Sequence, residues 1–129
     1  MTEPREYDLQ VVIASGPEAL GRAVLGLAFA ISAVASGVNV LVILTLNGIT
    51  WLTTNEPSAE HKINGFDSVR SYLAILKEAG VAVRLCSACV AGHCAVPPAG
   101  HDALREKPYI GLAEAAIRAA RDSVQTVVF

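Results

Sequence analysis

The sequence predicts an α/β sandwich with a mainly parallel sheet and helices on both faces. Strand-like and helix-like segments alternate along all 129 residues, the order that builds parallel sheets through helical crossovers. The clearest strand, within "VNVLVILTL" at 38–46, is short, β-branched and apolar at consecutive positions, as a strand covered on both faces must be. The length sets a single domain, residues 1–129, large enough for a proper core without disulfide staples.

"YDLQVVIAS" at 7–15 supplies the first strand. "GPEAL" then opens a helix with Leu20, Val24, Leu27, Ile31 and Val34 at helical spacing. Leu25, Phe29 and Ala33 make its other flank apolar too, with Arg22 and Ser32 the main polar interruptions. A surface helix ordinarily keeps a wet face, so this one is expected to pack against another subunit. No charged residue occurs from Ala23 to Asn55, yet no membrane span is expected. A spanning helix needs about 20 continuous apolar residues, and Ser36, Gly37 and Asn39 divide this stretch into a helix and a strand.

The second strand covers Val38 to Leu44 and leads into a long polar connection at 45–65, with a short turn expected from Gly48 to Leu52. Loops of that length often carry function. "GFDSVRSYLAILKEAG" at 65–80 places Phe66, Val69, Leu73 and Leu76 on one helical face and stops at Gly80. "VAVRL" at 81–85 is the next strand. "KPYIGLAEAAIRAARDS" at 107–123 reads as a helix with Pro108 near its start and Glu114 four residues before Arg118. "VQTVVF" at 124–129 closes the chain as a last strand.

Composition excludes several functions. A formal charge of -2 and a pI near 5.9, with no basic stripe, argue against a nucleic-acid partner. Gly16, Gly21 and Gly26 do not make a phosphate-binding turn, no G-x-S-x-G elbow occurs, and the acids are too scattered for a carboxylate pair, so no cofactor is expected. The opening "MTEPREYDLQ" lacks a secretory pattern, and the cysteines number three, an odd count. A reducing cytoplasm with free thiols is the expected setting.

All three cysteines fall in "VAVRLCSACVAGHCA" at 81–95. In open parallel sheets ligands bind beyond the carboxyl ends of the strands, and Cys86 follows Leu85 on that edge. In "CSAC" the spacing brings Cys86 and Cys89 within one turn, and Ser87 would cap a short helix whose free N–H groups favour a thiolate. Cys86 is therefore the candidate nucleophile, expected to be open to solvent. Cys89 is the candidate to attack a modified Cys86, and Cys94 another if its loop folds back. Buried cysteine is equally an ordinary small apolar residue. A zinc-like set of Cys86, Cys89, Cys94 and either His93 or His101 is the rival, although adjacent His93 and Cys94 tend to point apart. An iron–sulfur cluster would want a fourth cysteine. His93 and His101 are also candidate bases beside a thiol.

Three long stretches, "VVIASGPEALGRAVLGLAFAISAVASGVNVLVILTLNGITWL", "LKEAGVAVRLCSAC" and "YIGLAEAAIRAARDSVQTVVF", together resemble the DsrE/DsrF-like (DsrEFH) sulfur-relay family over nearly the whole chain. The most specific parts are the L-x-x-A-G-V approach to a cysteine at a strand end and the closing Q-T-V-V-F. The resemblance implies a small three-layer α/β/α sandwich with a mainly parallel five-stranded sheet, assembled into trimers or hexamers. It also implies a sulfurtransferase-like carrier: sulfane sulfur is accepted as a persulfide on a cysteine after this strand, matched here by Cys86, and relayed to a partner thiol. The implied partners are further copies of the chain and sulfur donor and acceptor proteins or small polysulfur species, with no nucleic acid and no membrane. Cys89, Cys94 and the "PPAGHD" that follows depart from the family pattern. They leave three chemistries open: sulfur carriage, dithiol redox work, and an oligomeric zinc- or ligand-binding module using Cys86, Cys89, Cys94 and His101, its pocket shaped by the 53–64 loop. A scaffold subunit without chemistry would instead carry inert thiols.

Overall fold

The computed structural model describes residues 6–93 and 109–129. Five strands, β1 (Leu9–Ile13), β2 (Val40–Leu44), β3 (Ala82–Cys86), β4 (Tyr109–Ile110) and β5 (Gln125–Val128), form one sheet in the order β4-β3-β2-β1-β5. Every pairing is parallel. The helices are α1 (Leu20–Ala35), α2 (Thr50–Thr53), α3 (Val69–Glu78), α4 (Ser87–His93) and α5 (Leu112–Arg121). The expected α/β fold with a parallel five-stranded sheet and flanking helices is borne out.

Alternation along the strands builds two cores. Val11, Ile13, Val40, Val42, Leu44, Val83 and Leu85 face α1 and α3, where Val24, Leu27, Ala30, Val69, Leu73 and Leu76 meet them. Burying each such side chain stabilises the fold by about 1.5–3 kcal/mol. On the opposite face Leu41, Ile43 and Ile110 form a smaller cluster with Tyr7, Val12, Ala82 and Ala115 of α5. All five residues of β2 are buried, as its unbroken apolar run requires. Gln10 is the buried polar exception in the sheet: its amide nitrogen donates to Thr126 Oγ1 at 2.9 Å and to the Ala115 carbonyl at 3.2 Å, tying β1 to β5 and α5.

Helix α1 buries Ala23, Val24, Gly26, Leu27 and Ala30 and leaves Leu25 and Phe29 exposed. Together with the preceding turn it makes a 19-residue segment, Pro17–Ala35, long and apolar enough to cross a membrane by length and composition alone. In this fold its inner face lies against the sheet. Gly26 is required there, because a Cβ would collide with Ile13 and Phe129. Helix α3 starts at Ser68, whose hydroxyl accepts the Ser71 N–H at 3.2 Å, and ends before Gly80 at φ +73. Phe66, expected on the buried face of this helix, precedes it and is exposed.

The C-terminal region differs from expectation. Tyr109 and Ile110 are a strand paired with Leu85 and Cys86, and the helix begins only at Leu112. Long-range pairing with β3 and burial of Ile110 override the helical pattern read from this stretch; Pro108 lies outside the described residues. No residue of α5 is buried, and Leu112 and Ile117 are exposed.

Candidate functional site

Parallel register assembles the site. Leu44 of β2 pairs with Leu85 of β3, so the next residues, Thr45 and Cys86, emerge side by side at the carboxyl edge of the sheet. Thr45 stays extended, its N–H bonded to the Ile13 carbonyl at 3.0 Å. The chain then turns sharply: Leu46 adopts φ +48, an uncommon conformation for a branched side chain, and a tight turn from Leu46 to Ile49 follows. Gly48 presses against the end of β1 so closely that a Cβ would collide with the Ile13 carbonyl. Beside it, the Glu18 carboxyl is held below the usual range chiefly by the Gly16 N–H, with a further bond from the Asn47 side chain. The two strand-end turns thus brace one another.

Across from this turn, α4 starts directly after Cys86 and brings Cys89 back over the strand end. The Cys89 sulfur accepts the Leu46 N–H at 3.1 Å and lies 3.2 Å from Thr45 Oγ1, where either atom can donate. The extended Thr45 backbone, at ψ 166, sets the peptide plane that carries this N–H.

Cys86 differs from the expectation of an open thiol: it is 0 % exposed. It is the last residue of β3 rather than the first beyond it, and α4 follows it directly. Burial pushes its pKa up, but the Thr45 hydroxyl, the Cys89 N–H and thiol and the Ala88 N–H outweigh that and hold it below the ordinary thiol range. Cys89 is half-buried, packed against the main core, and the less covered member of the pair. Both cysteines are free.

Three groups therefore converge, Cys86, Thr45 and Cys89, with backbone N–H donors to both sulfurs. Thr45 has a single proton; when it donates to a Cys86 thiolate, its oxygen is left to accept the Cys89 thiol proton. The array can pass a proton from the outer sulfur to the inner one. Sequence reasoning paired the two cysteines but missed Thr45 and Leu46. The available signal was the first polar residue after the buried "VLVIL" run, on the edge where Cys86 ends its own strand. Cys94 and His101, named for the metal set and as further candidates, lie outside the described residues, and His93 is described only as the last residue of α4. Among the described residues no three His, Cys, Asp or Glu side chains gather to hold a metal. The 53–64 segment contains a short turn, Pro57–Glu60, that packs on α3, with Arg70 Nε and Glu60 Oε1 at 2.8 Å.

The DsrE/DsrF-like family model matches residues 8–129. The fold is similar to the crystal structure of the YchN protein from E. coli, with a TM-score of 0.63 at 19% identity, covering 95% of this chain and 99% of that one. No curated protein matches the sequence.

Proposed function

The chain belongs to the DsrE/DsrF-like family, and from that membership and its paired thiols we propose that it is a sulfur carrier, taking sulfane sulfur as a persulfide and relaying it to a partner thiol. The observation that carries the reading is the Cys89 sulfur of a half-buried residue, held by the Leu46 N–H and the Thr45 hydroxyl beside a covered Cys86 that favours its thiolate. Thiolate attack on a sulfur–sulfur bond depends mainly on ionisation, leaving group and access. Access separates the two cysteines. The family resemblance matches the persulfide to Cys86, whereas the full burial of Cys86 and the partial burial of Cys89 support Cys89 as the first contact with the donor and Cys86 as its inner partner.

In the loading step the Cys89 thiolate attacks the outer sulfur of a donor persulfide. A new sulfur–sulfur bond forms on Cys89, the donor's own bond breaks, and the donor leaves as a thiol that takes up the released proton. A partner thiol then removes the outer sulfur by the same displacement. The relay operates in the cytoplasm on a homo-oligomer, for which the exposed Leu25 and Phe29 of α1 supply an apolar contact face.

Intact-mass measurement after exposure to inorganic polysulfide tests the reading, in a Cys94→Ser background that removes the third thiol. Added sulfur is expected on this protein at the earliest times of exposure and throughout on its Cys86→Ser derivative, and is lost with Cys89→Ser. Undiminished loading of the Cys89→Ser protein would overturn Cys89 as acceptor.

A further inference from the structure

We infer that Cys86 and Cys89 are also a dithiol–disulfide couple: in the absence of an acceptor, Cys86 attacks the loaded Cys89 and discharges the sulfur as hydrosulfide. This rests on the carrier reading for its substrate, a sulfane-sulfur compound, but adds a reduction that carriage alone does not include.

The arrangement itself supports it. Cys86 occupies the position before the first turn of α4 and Cys89 the third position within that turn. Helix geometry sets their Cα atoms roughly 5–6 Å apart, within the range a disulfide spans. The Cys89 sulfur lies 3.2 Å from the Thr45 hydroxyl, and that hydroxyl and Cys89 are among the groups that favour the Cys86 thiolate. A Cα separation in this range is one that a disulfide can close. The covered thiol is the one with raised thiolate character, so the attacking group is already on the inner side.

The step balances. Sγ of Cys86 bonds to Sγ of Cys89 as the bond from Cys89 to its outer sulfur breaks. The outer sulfur leaves with the electron pair, and the Cys86 proton ends on it as hydrosulfide. The sulfane sulfur is reduced, and the two thiols are oxidised to a disulfide. In-line displacement places the leaving sulfur opposite Cys86 across the Cys89 sulfur. A low-molecular-weight dithiol resets the pair by exchange. Attack on the outer sulfur instead would merely move the persulfide onto the covered Cys86.

Two measurements on the full chain in the Cys94→Ser background test this. Polysulfide treatment followed by removal of excess donor should release hydrosulfide in step with loss of the added sulfur, leaving a protein two hydrogens lighter than its reduced form; Cys86→Ser should keep its persulfide at least about tenfold longer. A stable persulfide with no hydrosulfide and no disulfide, or a persulfide mapped to Cys86, overturns the couple while leaving sulfur carriage standing. Absence of loading in every form overturns carriage instead. The couple is then read independently with oxidised glutathione: the protein should form the Cys86–Cys89 disulfide, and the Cys86→Ser form should hold the mixed disulfide on Cys89. Persistence of the mixed disulfide with Cys86 intact overturns it.

Discussion

The Thr45 hydroxyl lies 3.2 Å from the Cys89 sulfur and is among the groups that favour the Cys86 thiolate. Hydrogen bonds to a charged group contribute roughly 1.5–3 kcal/mol, so Thr45→Val should slow sulfur loading by about tenfold or more, measured as the initial rate of mass gain. Thr45→Ser keeps the hydroxyl and should restore most of that rate. The same bond sets a pH dependence. The folded Cys86 pKa lies below its unfolded value, so its contribution to stability is complete above the ordinary thiol range and disappears as pH falls through the lowered value. The stability difference between the parent protein and Cys86→Ser should therefore grow with rising pH across that window, as read by denaturant titration. Neither Thr45 nor the Leu46 N–H was legible in the sequence, because Thr45 becomes a neighbour of Cys86 only through the β2–β3 register. The burial of Cys86 was equally hidden, since it depends on tertiary packing at the strand end.

At the scale of elements, the turn from Leu46 to Ile49 is fixed by the absence of a side chain at Gly48. A Cβ there meets the Ile13 carbonyl, a backbone atom that cannot yield without moving β1. Overpacking of this kind costs about 1–3 kcal/mol, and displacement of the turn would also withdraw the Leu46 N–H from Cys89. Gly48→Ala should lower stability by that amount in denaturant titration and slow loading in the same protein. The Ser68 cap is a contrasting case: Ser68→Ala should cost about 1 kcal/mol and leave loading unchanged, since the Ser68 hydroxyl bonds the Ser71 N–H and not the groups that hold Cys89. The elements with strong local periodicity, α1, α3 and β2, could be read directly from the sequence. β4 could not, because two residues become a strand only by pairing with Leu85 and Cys86.

For the whole molecule, the order β4-β3-β2-β1-β5 puts β2 and β3 side by side, so that two strands end at the thiol edge together. The parallel architecture was legible because alternating segments admit few other arrangements. What the chain assembles with is a matter of its surface. Leu25 is 48% and Phe29 42% exposed on α1, with the Phe29 ring 5.4 Å from that of Phe129. If this face joins copies of the chain, Leu25→Glu should reduce the mass measured by light scattering while circular dichroism stays unchanged. An unaltered mass would remove α1 from the interface.

The most direct measurement is peptide mapping of the parent protein after brief exposure to polysulfide, with persulfides trapped by alkylation before digestion. The account predicts that the first added sulfur is found on Cys89. First loading on Cys86 or Cys94, or none on any cysteine, would contradict it.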